Sequence, residues 1–132
     1  MIDSNFIKNS KIVSQNVSRE TLDELNKYSL SIIKKNKEIN LISSSTEKSI
    51  NTRHIADSAQ TIDFINKNDV KVCTDLGSGA GLPGMVLAIL MKPKKPQFKV
   101  IFYEKSYHKS NFLKEISKKF KLNTEINQEK GL

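Results

Sequence analysis

The chain has 132 residues, 37% of them hydrophobic and 27% charged, with a formal net charge of +8. That is one ordinary domain of globular composition, and it excludes an intrinsically disordered chain. The longest apolar run, Met85–Met91, has seven residues where a membrane span needs about 20. No signal-peptide pattern opens the sequence, and the single cysteine, Cys73, allows no internal disulfide, so a reducing, cytoplasmic setting is expected.

Residues 1–17, rich in Ser, Asn and Lys without clean periodicity, read as a loose leader. Thr21 and Glu24 fit a T-x-x-E capping box. Leu22, Leu25, Tyr28, Ile32 and Ile33 recur at helical spacing and predict a buried stripe. Ile39–Ile42 is apolar, and Ser43 to Thr46 then offers caps for another helix. Residues 47–66 read as one or two helices, with Ile50, His54 or Ile55, Ser58 or Ala59, Ile62 and Ile65 on one face. Residues 18–67 are therefore expected to form a helical cap on the C-terminal half of the chain.

From Val70 the period changes. Val70–Leu76 is β-rich and bounded by turn signals. Four of the chain's five glycines then fall within residues 77–84. Met85–Met91 reads as a buried helix, with Pro83 at an allowed first-turn position. Lys92 to Pro96 is a loop. Phe98–Tyr103 is a second strand ending at Glu104. Residues 107–120 form an amphipathic helix with Phe112, Leu113, Ile116 and Phe120 inward, and Thr124–Asn127 is a weak third strand. The order β-α-β-α-β over residues 68–132 predicts a parallel sheet with right-handed crossovers. Cys73 and Phe102 are expected in the core, and His108 on the surface.

A strand, a glycine-dense turn and a helix make a ligand-binding device at the carboxyl ends of the strands. Gly79-x-Gly81-x-x-Gly84 matches the dinucleotide fingerprint, and Glu104 lies 20 residues after Gly84. The loop starts two residues earlier, however, as Asp75-x-Gly77-x-Gly79-x-Gly81. Pro83 also removes an N–H that a pyrophosphate would use. The D-x-G-x-G-x-G form suits S-adenosylmethionine, which has no phosphate and needs a carboxylate for its ribose. A glycine turn with no ligand stays open as the bland alternative.

The stretch Asp75 to Gly84 (DLGSGAGLPG) closely resembles the bacterial 16S ribosomal RNA guanine-N7 methyltransferase family, also called glucose-inhibited division protein B or RsmG. Asn40-Leu41-Ile42, Arg53-His54-Ile55-Ala56-Asp57-Ser58, and Glu104 followed by Lys109, Phe112 and Leu113 resemble further family segments in the same order. The resemblance covers about residues 20–127. It implies an α/β fold: a helical cap plus a Rossmann-like methyltransferase domain that uses S-adenosylmethionine. It also implies roles. Asp75, Gly77, Ser78, Gly79, Gly81, Leu82 and Glu104 match the cofactor pocket. Arg53, His54, Asp57 and Ser58 match a segment near the cofactor and the RNA face. For His54 and Asp57, packing between cap and sheet is the alternative.

The family implies methyl transfer to N7 of a guanine in 16S ribosomal RNA or the small ribosomal subunit. N7 exposes a lone pair, so no residue need act as a base, and none is assigned as catalytic. No Cys/His spacing for zinc is present, and no metal is expected. The charge is uneven: residues 92–121 hold 10 lysines against Glu104 and Glu115. Such a stretch attracts a polyanion, although a solvated helix face plus a lysine-rich loop carries the same charge. Lys105 and Lys109 lie nearer the cofactor end than Lys92, Lys94 and Lys95.

Family members continue past the third strand to a seven-stranded sheet. A fold whose later strands are absent is therefore expected, with activity of the short chain in question. A full-length form is expected to be monomeric, and the short chain to self-associate through its first strand. The rival classes are a non-catalytic RNA- or cofactor-binding remnant and, behind it, a nicotinamide-dependent oxidoreductase.

Overall fold

The computed structural model describes residues 17–49, 61–77 and 79–128. Its elements run α1 (Arg19–Asn36), α2 (Ser44–Ser49), α3 (Thr61–Lys67), β1 (Val72–Leu76), α4 (Gly84–Met91), β2 (Lys99–Tyr103), α5 (Tyr107–Phe120) and β3 (Thr124–Asn127). The expected leader up to residue 16 and the expected helical face at residues 50–60 lie outside the described residues.

Local chemistry sets the boundaries, and corrects some of those read from sequence. The cap of α1 is Ser18, not Thr21. Its Oγ accepts the Thr21 N–H at 3.1 Å, which puts Thr21 inside the first turn, where it is buried. Glu24 is thereby freed from capping, and it takes the Lys92 ammonium at 2.7 Å. Ser43 caps α2 by accepting the Thr46 N–H at 3.1 Å. β1 begins at Val72 because the Val70 N–H closes the turn after α3 on the Ile65 carbonyl at 3.1 Å. β2 begins at Lys99 because the Phe98 N–H turns back to the Lys95 carbonyl at 2.9 Å.

The three strands pair in parallel in the order β1-β2-β3. Their carboxyl ends align at Leu76, Tyr103 and Asn127. That alignment brings the turns after β1 and β2 side by side, the usual ligand end of such a sheet. All eight residues of α4 are buried, and the helix packs against α1, α3, β1 and β2. A helix apolar all round requires such a position. Leu25, Tyr28 and Ile32 of α1 and Phe112, Leu113, Ile116 and Phe120 of α5 join the same core. Lys92, just past α4, gives its ammonium to Glu24 at 2.7 Å and to the Phe120 carbonyl at 2.8 Å, tying α1 to the end of α5.

Strand alternation splits the sheet into two unlike faces. Asp75, Val100 and Phe102 point to the buried side. Val72, Thr74 and Leu76 point to the other and are exposed, Val72 by 50% and Leu76 by 61%. Cys73 is half-buried and not fully in the core as expected, because β1 lies at the edge of the described sheet. Burial and, secondarily, Asp75 push its thiol above the usual range. No described helix is long and apolar enough to cross a membrane.

Among the described residues no strand pairs with the outer edge of β1. Its sequence, Val72-Cys73-Thr74-Asp75-Leu76, has no lysine, proline or bulge to blunt that edge. The protein is expected to self-associate as its concentration rises, and Thr74→Lys should restore the monomer. Sedimentation checks this; a monomer throughout for the unaltered protein would show the edge to be protected in solution.

Candidate functional site

The turn between β1 and α4 carries the candidate site. Gly77, Gly79 and Gly81 have φ of +63°, +62° and +97°, and the Leu82–Pro83 peptide is cis. The alternation of the D-x-G-x-G-x-G pattern is thus an alternation of left-handed backbone. The space around these glycines differs. A Cβ on Gly79 would lie 3.2 Å from the Leu41 carbonyl oxygen, and one on Gly81 only 2.6 Å from Met85 Cγ. A Cβ on Gly77 would meet nothing within 4 Å. Gly77 is also exposed, while its N–H is held by the Tyr103 carbonyl at 2.8 Å. The loop is therefore packed from beneath and open at Gly77.

Two buried carboxylates hold this turn. Asp75, 8% exposed, accepts the Gly84 N–H on Oδ2 at 3.0 Å. This anchors the start of α4 directly on β1. Glu104, 7% exposed, accepts the Gly79 N–H on Oε1 at 3.1 Å and the Ser106 N–H on Oε2 at 2.9 Å. Ser106 in turn caps α5, its Oγ accepting the Lys109 N–H at 3.2 Å. One side chain at the end of β2 thus binds the glycine loop to the next helix. Burial raises the Asp75 carboxyl above its usual range; the Gly84 N–H opposes that rise and Glu104 adds to it.

Gly84 completes the junction. A Cβ there would come within 2.5 Å of Phe102 Cε1 and 2.7 Å of Asp75 Oδ2. Only a glycine lets the helix sit on the Asp75–Phe102 register pair. Phe102, fully buried below it, is a floor and not a stacking platform.

The structure thus brings together Asp75, Gly77, Gly79, Gly81, Leu82 and Glu104 of the expected cofactor set. Leu82 is half-buried against the core. Lys105 is exposed just past Glu104, and Lys109 is half-buried in the first turn of α5. Ser78, Arg53, His54, Asp57 and Ser58 lie outside the described residues. Sequence reasoning missed Ser106 and the hydroxyl of Tyr28, which reaches the Ala80 carbonyl at 2.8 Å. A tyrosine inside an apolar stripe was the available signal, since a buried phenol needs a partner.

A parallel sheet whose first strand opens into this glycine loop, with an acid closing the second strand, defines the α/β methyltransferase frame. The family model described as rRNA small subunit methyltransferase G matches residues 21–130, and the chain belongs to that family. Proteins named ribosomal RNA small subunit methyltransferase G match it. The one from Pelagibacter ubique is 48% identical over 118 residues, which is 88% of this chain and 55% of that protein. The one from Jannaschia sp. is 40% identical, covering 86% of this chain and 54% of the relative. The one from Bartonella henselae is 48% identical over 94 residues, 71% of this chain and 42% of its own length. The chain spans about half the length of the curated relatives it matches.

Because folding raises the Asp75 pKa, the folded state holds that proton more tightly than the unfolded chain. The stability this gives is present below the unfolded pKa and is lost as pH rises through the folded one. Asp75→Asn keeps an acceptor and cannot ionise. Its melting temperature, relative to the unaltered protein, should rise as the pH is raised above about 4, the ordinary aspartate range; parallel curves would refute this. Gly84→Ala overpacks the same junction and should cost about 1–3 kcal/mol in denaturant unfolding.

Proposed function

We propose that this chain carries the cofactor-binding part of an S-adenosylmethionine-dependent methyltransferase that acts on N7 of a guanine in 16S ribosomal RNA. The observation that carries the reading is the glycine loop, packed from beneath, open at Gly77 and tied to Glu104 at 3.1 Å. The donor set fits the cofactor. Each Glu104 oxygen accepts one backbone N–H and keeps capacity for another donor, such as a ribose hydroxyl. The left-handed glycines supply a chain without side chains where a ligand must approach closely.

In this reading Gly77, Ser78, Gly79, Gly81 and Leu82 wrap the methionine part, and Glu104 binds the ribose. Asp75 is the second acid of the pocket, and it also fixes where the loop ends. When bound, S-adenosylmethionine supplies a methyl group on a sulfonium. Guanine N7 presents an in-plane lone pair, so no residue has to remove a proton before attack. The protein's task is to hold the acceptor in line, a positioning effect. Arg53, His54, Asp57 and Ser58, by resemblance, and Lys105 and Lys109, by their position past Glu104, are the residues proposed to face RNA. Phosphate contacts by such cations make affinity fall with salt. A base that is chemically modified has to be accessible, which favours an unpaired nucleotide of the small subunit, in the cytoplasm. The relatives' shared name, ribosomal RNA small subunit methyltransferase G, supports that substrate class.

A second reading is binding of cofactor or RNA by this chain without turnover. Calorimetry with S-adenosylmethionine, S-adenosylhomocysteine and NAD tests the cofactor assignment, and methyl incorporation into unmethylated small-subunit RNA separates the two readings. Gly79→Val adds a side chain where the Leu41 carbonyl already stands 3.2 Å from a Cβ, and it should abolish binding of both sulfur cofactors. Undiminished affinity in that variant, or preference for NAD, would overturn the assignment.

A further inference from the structure

We propose that Tyr28 is a positioning residue for the glycine loop, so that helix α1 holds the loop's conformation from outside the sheet. The proposal rests on residues 77–84 being the cofactor loop. It goes beyond that reading by giving a role to a residue 52 positions away from its partner in sequence.

Three observations meet at this point. First, Tyr28 is fully buried in the middle of α1, and its hydroxyl donates to the Ala80 carbonyl at 2.8 Å. Ala80 is itself buried, at 1% exposure. Removing the hydroxyl leaves a carbonyl away from water without this donor. Second, that carbonyl sits between two glycines of positive φ, Gly79 and Gly81. Glycine backbone has the widest conformational choice, so one fixed peptide between them restricts both. Third, the segment after α1 reaches the same loop. The Leu41 carbonyl lies where a Cβ on Gly79 would be only 3.2 Å away. Asn36 Oδ1 holds that segment by accepting the Leu41 and Ile42 N–H groups at 2.9 and 3.0 Å.

The loop is thus gripped on three sides. Asp75 takes the Gly84 N–H, Glu104 takes the Gly79 N–H, and Tyr28 gives its proton to Ala80. The first two grips come from the strands that flank the loop. The third comes from the helical segment. Burial, and next the nearby Asp75, keep the phenol well above its usual range, so Tyr28 remains a donor at neutral pH. Without it the 79–81 peptides would sample other conformations, and a ligand would have to select the competent one.

Tyr28→Phe removes only the hydroxyl and keeps the ring in the core. Amide exchange on the full chain, read by NMR without ligand, should show the Gly79 and Gly84 N–H groups losing protection while Phe112 and Ile116 of α5 keep theirs. S-adenosylhomocysteine affinity should fall about tenfold. Ile32→Val, on the same buried stripe, weakens packing and removes no hydrogen bond to the loop. It should leave the ratio of loop to α5 exchange as it is. Equal losses in loop and α5, an unchanged loop, or the same pattern in Ile32→Val would overturn the proposal. Selective loop loss in a protein whose unaltered form binds no S-adenosylhomocysteine would uphold the grip of Tyr28 and overturn the cofactor reading.

Discussion

Three side chains from three elements each hold one backbone group within residues 79–84, and the conformation of the glycine loop depends on them. Tyr28 of α1, Asp75 of β1 and Glu104 at the end of β2 bind Ala80, Gly84 and Gly79. A buried turn needs such partners, because an unmet backbone polar group away from water costs about as much as a lost hydrogen bond. Supplying them with carboxylates is an expensive choice. Burial, and after it the neighbouring Glu104, makes Asp75 hold its proton more tightly than usual, against the opposing Gly84 N–H. A neutral asparagine would satisfy the same donors at less cost. A cationic or hydroxyl-bearing ligand would compensate carboxylates placed against stability, which agrees with the site proposed at this turn.

Charge looks different in three dimensions. Residues 92–121 carry the chain's positive excess in sequence, but part of it is structural. Lys92 joins Glu24, Lys95 joins Asp69 at 2.6 Å, and Lys99 joins Glu125 at 3.2 Å. Glu24 and Asp69 come from well before that stretch, so linear counting could not pair them. The two exposed pairs contribute little to stability, because water and salt screen them. Lys92 does more, because its ammonium also meets the Phe120 carbonyl at the end of α5. The lysines left for a polyanion include Lys105 next to Glu104, Lys114 and Lys118 along α5, and Lys121 just past its end, all exposed.

Elements with a clean period and a local stop signal were legible from sequence. α5 and β3 run over the expected residues, because Ser106 and Lys121 bound one and Asn123 and Gln128 the other. The glycine loop was legible because a left-handed backbone strongly favours glycine, so a cluster of glycines marks where such a turn is needed. Caps were not. Ser18 and Thr21 are equally good cap residues by type, and only the path of the preceding chain decides which one turns its oxygen inward. Tyr28 was visible as a core residue and invisible as a donor, because its acceptor is a carbonyl from another element. Ser106 was hidden for the same reason: its N–H answers Glu104, not its own helix. What sequence conveys is the local need of each group, while the identity of its partner belongs to the fold.

The glycines of the loop make that division concrete. Gly84 has no positive φ, and its requirement is space: Phe102 and Asp75 leave no room for a methyl group. That requirement is internal, so it would exist with no ligand at all. Gly77 is the reverse case. The protein leaves its Cβ position empty, and only the left-handed φ of +63° disfavours a side chain. Asparagine tolerates that conformation better than most residues, so sterics within the chain would permit it there. A glycine is needed at Gly77 in the stronger sense only if something outside the chain comes close to the backbone. The open side of the loop, at the aligned ends of β1 and β2, is therefore where the fold's own packing stops accounting for a glycine, and it is the side that the proposed ligand would approach.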